Sequence, residues 1–112
     1  MSPAYKIRKA TNNELYFVLE GEDGKEILAS EMYFKKEEVQ ADIEMMRRCS
    51  AEDKKYIRKE SNTGKPYFVL IGEDEEPIGT GEFYPSQKAM EKGIRSVKKI
   101  GPSAPIIDEV GG

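Results

Sequence analysis

The feature that most constrains this chain is an internal repeat. The residues Tyr-Phe-Val-Leu at 16–19 return at 67–70, and one residue after each run comes Gly-Glu-Asp. Aromatic and β-branched residues favour strands, and large side chains with high strand preference on both faces indicate the best-buried strand of a sheet. A chain of 112 residues is too short for two independent cores. We therefore predict one domain over residues 1–112, made of two near-copies at 5–50 and 55–110.

Each copy is predicted to contain three strands and then a helix. The strands show alternation with period two, whereas the helices carry apolar residues at i, i+4 and i+7, such as Val39, Ile43 and Met46. The predicted strands are 5–9, 15–19, 25–33, 56–59, 67–70, 78–84 and 104–110, and the predicted helices are 36–49 and 87–100. We expect Ser86 to cap the second helix and Gly101 to end it.

The two copies are predicted to share one sheet. A single copy would leave a sheet edge and an apolar face uncovered, and two copies related by a pseudo-twofold axis cover both. The strand at 56–59 is matched to 6–9 at an offset of fifty, and a longer second turn at 61–65 changes the offset to fifty-one. We predict an α+β fold: a mainly antiparallel sheet from two tandem βββα repeats, a terminal strand after each helix, and both helices on one face.

Composition narrows the possible functions. The formal net charge is −3 and the sequence pI is about 5.2, whereas nucleic-acid binders usually carry surplus Lys and Arg to neutralise phosphates. No apolar run approaches the roughly 20 residues that cross a bilayer, and the N-terminus lacks an export signal. We expect a cytoplasmic monomer that does not bind membranes and is not dedicated to nucleic acid.

The chain has no histidine and a single cysteine, Cys49. The absence of histidine removes the commonest general base and the commonest metal ligand. We therefore predict no catalytic residue, no metal site and no cofactor. Arg47 and Arg48 precede Cys49 and could activate its thiol. The alternative is a small core residue, because its counterpart in the second copy is Ile100, which borders the buried stripe.

A repeated Glu-Tyr pair is the best candidate for ligand binding. Glu31 and Tyr33 recur as Glu82 and Tyr84. Two residues apart on a strand, each pair shares a face, and the predicted helix-free face of the sheet could hold a peptide or a small polar ligand. Alternatively, the tyrosines pack across strands and the glutamates stay in water. Glu31 and Glu82 could also form the acid–base pair of an uncharacterised enzyme.

The second helix carries a basic ridge. Four residues at i, i+4, i+7 and i+11 form it: Lys88, Lys92, Arg95 and Lys99. They could contact phosphates, which makes weak nucleic-acid binding an alternative function. They also project away from the apolar stripe, where a surface helix normally places charges. Two of the four matching residues of the first helix are acidic and only one is basic, which argues against one continuous phosphate-binding surface: Glu37, Ala41, Glu44 and Arg48.

Three segments of the second copy resemble a known family. They are Lys65-Pro66-Tyr67-Phe68-Val69-Leu70, Ile78-Gly79-Thr80-Gly81-Glu82-Phe83-Tyr84 and Gly93-Ile94-Arg95-Ser96-Val97-Lys98-Lys99. The chain is similar to the YegP-like family, small bacterial and archaeal proteins with single or tandem copies of a domain of unknown function. The resemblance implies that tandem members form within one chain the pseudo-dimer that single-copy members form as dimers, with exchanged C-terminal strands. It implies no established activity.

Two residues depart from this pattern in the first copy. Asp42 replaces the helix glycine (Gly93 in the second copy), and Lys35 stands where Ser86 caps the second helix. We therefore expect the first helix to start raggedly and to sit further from the sheet. The preferred function is a non-enzymatic interaction or ligand-binding module, with another protein or a small molecule as its partner.

Overall fold

A computed structural model describes residues 2–110. Within that range it contains two helices, a 3-10 turn at Asp53–Lys55 and one seven-stranded sheet. The elements are β1 (Ala4–Lys9), β2 (Leu15–Glu20), β3 (Glu26–Ser30), α1 (Lys36–Cys49), β4 (Tyr56–Glu60), β5 (Pro66–Ile71), β6 (Pro77–Gly81), α2 (Gln87–Ile100) and β7 (Ile106–Asp108). The predicted α+β fold is confirmed. The third strand of each copy is shorter than predicted, because it ends at Ser30 or Gly81.

The two copies meet at the centre of the sheet. The strand order is β4-β5-β6-β3-β2-β1-β7, and β3 pairs with β6 in antiparallel fashion with Ala29 opposite Thr80. Ala29 and Thr80 are fifty-one residues apart, so they are equivalent positions and the pseudo-twofold axis passes between them. The sheet is antiparallel except at one edge, where β7 pairs in parallel with β1.

The register corrects the predicted alignment of the first strands. Tyr5 lies opposite Leu19, and Tyr56 lies opposite Leu70 in the same way. The offset is therefore fifty-one from the first strand onward, and the second turn is not longer than the first. Asn13 and Gly64 occupy equivalent turn positions with φ of 70° and 82°. The predicted alignment matched the similar sequences at 6–9 and 56–59 and is wrong by one residue. A slip of one residue in a strand exchanges the two faces of that strand.

A separate terminal strand is present only after α2. After α2 the chain crosses to the first copy, where β7 extends the sheet beside β1 and the Tyr5 N–H donates to the Pro105 carbonyl at 2.8 Å. After α1 the 3-10 turn leads directly into β4. Residues 55–57, which correspond to β7, fall largely in β4, so one strand both follows the first helix and begins the second copy.

Both helices pack on one face of the sheet, as predicted. Their buried stripes include Ile43 and Met46 of α1 and Ile94 and Val97 of α2. The sheet residues that meet them alternate along each strand, and they include Phe17, Leu19, Leu28, Phe68 and Leu70. A single core thus serves both copies, and the burial of these apolar side chains is the main favourable term for the fold.

The C-terminal ends of the two helices meet beside the pseudo-twofold axis. The buried Tyr5 hydroxyl donates to the Gly101 carbonyl at 2.6 Å, and the equivalent Tyr56 hydroxyl donates to the Ser50 carbonyl at 2.6 Å. Ser50 and Gly101 are themselves equivalent residues in contact with each other. The terminal carbonyls of a helix lack partners within the helix, so each copy's first strand satisfies the end of the other copy's helix.

The N-terminal ends of the helices are closed by different side chains. The Ser86 hydroxyl accepts the Ala89 N–H at 3.1 Å, which confirms the predicted cap. At the equivalent position of the first helix, the Glu38 carboxylate accepts the Lys35 N–H at 3.0 Å. Both helices begin at equivalent residues, Lys36 and Gln87. The expected ragged start of the first helix is therefore not observed.

Cys49 is expected to be unreactive in the folded protein. Its side chain is 0% exposed, and burial raises the pKa of the thiol. The thiolate is the reactive form, so Ellman's reagent should label the native chain at least roughly 100-fold more slowly than the chain in denaturant. The rate of thionitrobenzoate release under both conditions measures this. Equal rates would mean that Cys49 is accessible and would reopen its assignment as a core residue.

Candidate functional site

The structure moves the two candidate tyrosines to the helix side of the sheet. Because β3 ends at Ser30 and β6 at Gly81, the strand alternation no longer applies to Tyr33 and Tyr84. Both pack against the core from the ends of their strands. The Tyr33 hydroxyl donates to the Asp42 carboxylate on α1. The prediction that these tyrosines lie on the helix-free face is therefore wrong.

The two candidate glutamates are not brought together. β3 and β6 are antiparallel, with Ser30 opposite Gly79, so Glu31 and Glu82 follow opposite ends of this strand pair. The register places them roughly 13 Å apart along the strand direction. Carboxyl pairs that act on one bond are typically about 5–9.5 Å apart. This geometry does not support the hypothesis that Glu31 and Glu82 form an acid–base pair.

One half of the helix-free face is an ion-pair cluster. Glu20 is only 7% exposed and lies 3.0 Å from the Lys6 ammonium and 2.9 Å from the Arg8 guanidinium. Arg8 also contacts Glu26 at 2.5 Å and Glu109 at 2.9 Å, and the hydrogen bond from Arg8 lowers the pKa of Glu109. The two cations and three carboxylates offset most of one another's charge. We interpret the cluster as part of the structure, which covers the buried strands from this side.

The other half of the helix-free face is more apolar. Ile57 pairs with Val69 and Val69 with Thr80 across the sheet, while the exposed Phe83 packs edge-on against Tyr67 with ring centroids 5.3 Å apart. The candidate residues Tyr33 and Tyr84 do not lie on this face. They therefore give no support to the prediction that this face binds a ligand.

A cavity of about 510 Å³ lies on the helix side, at Tyr84. It is bounded by α2, by the turn between β2 and β3 of the first copy, and by the segment after β6. Its inner wall consists of Ile27, Tyr84, Gly93, Ser96 and Ile100, and charged residues surround its mouth: Glu22, Asp23, Lys25, Glu26, Glu82 and Lys99. Its volume falls in the usual range for small-molecule sites. Tyr84 and Glu82 thus do line a concave site, although not the predicted one.

The equivalent space in the other half of the protein is filled. Asp42, Met45 and Arg48 of α1 occupy the positions of Gly93, Ser96 and Lys99 of α2. Asp42 accepts the Tyr33 hydroxyl bond, and the Met45 sulfur packs against Gly72 and accepts the Glu73 N–H at 3.3 Å.

Arg48, the third of these α1 residues, closes the outer end of the filled space. The Arg48 guanidinium forms two hydrogen bonds with the Glu73 carboxylate, at 2.9 and 3.1 Å. Its equivalent in the open half, Lys99, makes only a loose contact of 3.8 Å with Glu22. The smaller Ser96 and the weaker ion pair of Lys99 therefore leave the cavity open at α2, whereas the space beside Gly93 is taken by the Tyr84 hydroxyl.

The Tyr84 hydroxyl is an unused hydrogen-bond donor. Within residues 2–110 it has no hydrogen-bond partner, whereas the equivalent Tyr33 hydroxyl has Asp42. Burial and the neighbouring Glu82 raise the pKa of Tyr84, in that order. The hydroxyl is thus protonated at neutral pH, and it lies against Gly93 at the wall of the cavity. A bound molecule could accept this bond.

The basic ridge lies on the exposed side of α2. All four of its residues are exposed, opposite the buried stripe of that helix: Lys88, Lys92, Arg95 and Lys99. Lys99 also stands at the mouth of the cavity. Contact with phosphates and an ordinary solvated helix face both require exposed residues. Nucleic-acid binding through this ridge therefore stays a prediction.

Most of this cavity lies outside the sequence predictions, which interpret Asp42 in place of Gly93 as a shift of the first helix. The useful signal in the sequence is the small Ser96 at the position where the first copy has Met45. That the turn at 21–27 forms the opposite wall follows only from the strand order.

The fold and the cavity together define a tandem-repeat α+β domain in which one of two equivalent grooves is open. The sequence model of a domain of unknown function, DUF1508, matches residues 10–56 and 61–108, and the chain belongs to this family, with two tandem copies of the domain. The YegP-like resemblance is thereby confirmed. No enzymatic family is indicated.

Relatives cover nearly the whole chain. A UPF0339 protein of Acinetobacter baylyi is 37% identical, over 99% of this chain and 100% of its own. The UPF0339 protein YegP of Yersinia pestis is 38% identical, over 93% of each. The NMR structure of yegP from E. coli, described as a protein of unknown function, has a TM-score of 0.91 at 32% identity and covers 97% of this chain and 94% of that one. The relatives support the fold and assign no activity.

The described residues also bear on metal binding and membrane insertion. Over residues 2–110, three or more Cys, Asp or Glu side chains do not gather in a group that could hold a metal ion. Neither helix in that range is long and apolar enough to cross a bilayer.

Proposed function

We propose that this protein is a non-enzymatic cytoplasmic monomer that binds a small molecule in the cavity beside Tyr84. One observation carries the proposal: of two spaces related by the pseudo-twofold axis, one is filled by Asp42 and Met45, and the other is open. A binding role would explain why the second copy carries Ser96 where the first copy carries Met45, because the smaller side chain leaves this space open.

The chemistry of the cavity favours binding over catalysis. A nucleophile with an adjacent base or a pair of convergent carboxylates would be needed for acid–base or covalent catalysis. The chain has no histidine, its thiol is buried, and Glu31 and Glu82 lie at opposite strand ends. The cavity offers an apolar wall, one free hydroxyl and a charged mouth, which are typical of a ligand site. A concave site of this size suits a small molecule better than another protein.

The test is an NMR screen of the full chain against a mixed library of small fragments. We expect the amide shifts caused by binders to cluster at 21–27, 82–84 and 93–100. The equivalent residues 72–78 and 42–49 are the internal comparison, because that groove is filled, and they should not respond. A screen whose binders all map to the helix-free face, or that finds no binder, would contradict the proposal.

The matched control is the variant Ser96→Met, which places the side chain of the first copy's Met45 at the equivalent position of the second copy. Gly93 is kept, because a Cβ there would clash with the Tyr84 hydroxyl and ring. We expect this variant to remain folded and to lose the cavity-directed shifts. Undiminished binding in the variant would show that the fragments do not enter the cavity.

A further inference from the structure

We propose that the open edge of the sheet at β4 binds an extended peptide segment of a partner protein, paired in parallel with β4 as β7 is paired with β1. In this segment an apolar residue and an acidic residue stand two positions apart. The site is separate from the cavity beside Tyr84, so the inference does not rest on the proposed small-molecule function.

The two edges of the sheet are covered differently. β1 lies one strand in from its edge, because β7 pairs with it. The equivalent strand β4 is itself the edge strand. Residues 57–60 of β4 are all exposed, whereas Ile7, the β1 residue equivalent to Arg58, is 0% exposed. An edge strand presents backbone donors and acceptors to which an extended peptide can add as a further strand.

The register shows which backbone groups face outward from β4. The Ile7 carbonyl accepts the Glu109 N–H at 3.0 Å, and the Tyr5 N–H also bonds to the added segment. Backbone groups alternate in direction along a strand, so these two β1 residues face β7. β4 pairs with β5 in the same register as β1 with β2. Tyr56 and Arg58 are therefore the β4 residues whose backbone groups point away from the sheet.

Only the first of these outward groups is used within the chain. The Tyr56 N–H donates to the Asp53 carbonyl, which closes the 3-10 turn. Among the described residues, no segment outside the sheet bonds to the Tyr56 carbonyl or to the Arg58 N–H and carbonyl. A parallel strand that begins beside Ile57 would therefore find three backbone groups open for pairing.

The helix-free face indicates which side chains the peptide carries. Ile57 is 38% exposed in the apolar half of this face, and an apolar peptide residue beside it would extend that surface. Lys59 is exposed on the same face and has no ion pair among the described residues. An acidic residue two positions along would pair with it. In β7 and the residue after it, Ile107 and Glu109 hold these two positions, and Glu109 contacts Arg8, the equivalent of Lys59, at 2.9 Å.

A groove of about 380 Å³ receives the middle residue of the peptide. The groove lies on the helix side of the same edge, between β4 and the start of α2, and both Arg58 and Gln87 line it. Their equivalents in the first copy are Ile7 and Lys36, and these flank Asp108 of β7: Ile7 pairs with it, and the Lys36 ammonium contacts it at 2.6 Å. Because Gln87 carries no charge, the middle residue of the peptide is not required to be acidic.

The experiment is an NMR titration of the full chain with a synthetic peptide of its own sequence 104–110, blocked at both ends. This peptide contains the required apolar and acidic residues at the positions of Ile107 and Glu109. We expect shifts of the amides of 56–60 and 85–90, with a dissociation constant below about 1 mM. No shift, or shifts confined to 4–9, where the peptide would replace β7, would overturn the proposal. Shifts at 56–60 that grow with protein concentration without peptide would also overturn it, because the occupant would then be a second copy.

Methylation of the peptide backbone tests the strand pairing. The N–H groups at the positions of Ile107 and Glu109 point toward the protein, whereas the N–H at the position of Asp108 points away. We expect N-methylation at the first of these positions to weaken binding at least roughly tenfold. N-methylation at the position of Asp108 should have a much smaller effect. Equal losses at the two positions would overturn the pairing.

Lys59→Glu tests the assigned ion pair. We expect this variant to bind the peptide roughly tenfold more weakly, and a peptide with lysine at the position of Glu109 should recover the binding. Lys92→Glu is the control, because it makes the same change of charge on the exposed side of α2 and should leave the affinity unchanged. Failure of the lysine peptide to recover binding would overturn the assignment. Ser96→Met should bind the peptide normally, so this site and the cavity can fail independently.

Discussion

Replacing Phe68 by alanine is expected to lower the free energy of unfolding by about 3–5 kcal/mol, the usual cost of removing a buried aromatic ring. Phe68 is 0% exposed, and its ring lies among those of Tyr56 and Tyr84, with centroid distances of 5.7 and 6.3 Å. Gly81 packs directly on the ring, since a Cβ at that glycine would lie 2.6 Å from it. Such surroundings cannot collapse easily into the space that the ring leaves.

Urea unfolding followed by circular dichroism measures this loss. Small domains are stable by only about 5–15 kcal/mol, so Phe68→Ala should be partly unfolded at 37 °C. The control is Phe83→Ala, because Phe83 is 62% exposed and its ring packs edge-on against Tyr67 on the helix-free face. We expect the control to cost less than about 1 kcal/mol. Comparable losses in the two variants would mean that the core is not centred on the repeated strand.

The same ring contributes to the candidate site. Phe68 stacks on Tyr84, and Tyr84 forms part of the cavity wall. The repeated Tyr-Phe-Val-Leu strand therefore supports the core with its Phe and also positions the tyrosine that the proposed ligand would contact. Partial loss of this support should reduce ligand affinity before it abolishes folding.

The elements of this fold could be predicted because their signals are local. Alternation in 15–19 and 67–70 and the i, i+4, i+7 spacing in 36–49 depend only on neighbouring residues, and each predicted element is present. The pairing of the copies in one sheet followed from a need to cover edges and faces. The register could not be obtained from local patterns, because it depends on which residues lie opposite each other in space. The similar sequences at 6–9 and 56–59 suggested a wrong alignment.

The candidate site was harder to predict because strand ends are not visible in the sequence. Tyr33 and Tyr84 continue the alternation of the preceding residues, yet the strands end at Ser30 and Gly81, and the tyrosines turn toward the helices. The cavity also joins distant segments, since α2 of one copy faces the turn at 21–27 of the other. Of the two predicted Glu-Tyr pairs, Glu82 and Tyr84 line the cavity, whereas the Tyr33 hydroxyl donates to Asp42 in the filled half.

Gly101 shows how a correct boundary can be predicted for a wrong reason. A glycine at the end of a helix usually indicates a left-handed residue, and Gly101 does follow the last residue of α2. Its φ is −56°, however, which any residue can adopt. The glycine is needed for space: a Cβ there would lie 2.5 Å from the Ser50 Oγ and 2.7 Å from the Ser50 Cβ. At this contact between equivalent residues, one serine and one glycine fit.

Gly101→Ser is therefore expected to destabilise the protein by about 1–3 kcal/mol, the usual cost of overpacking a buried contact. The exchange variant Ser50→Gly/Gly101→Ser should recover at least about half of that loss, because it restores one serine and one glycine at the contact. Full recovery is not expected, since the new Cβ also approaches the Val97 carbonyl oxygen at 2.7 Å. Urea unfolding of the two single variants and the exchange variant gives the coupling energy. Losses that simply add would show that the two residues do not compete for one space, and that the helix ends are not held together as the two tyrosine hydrogen bonds indicate.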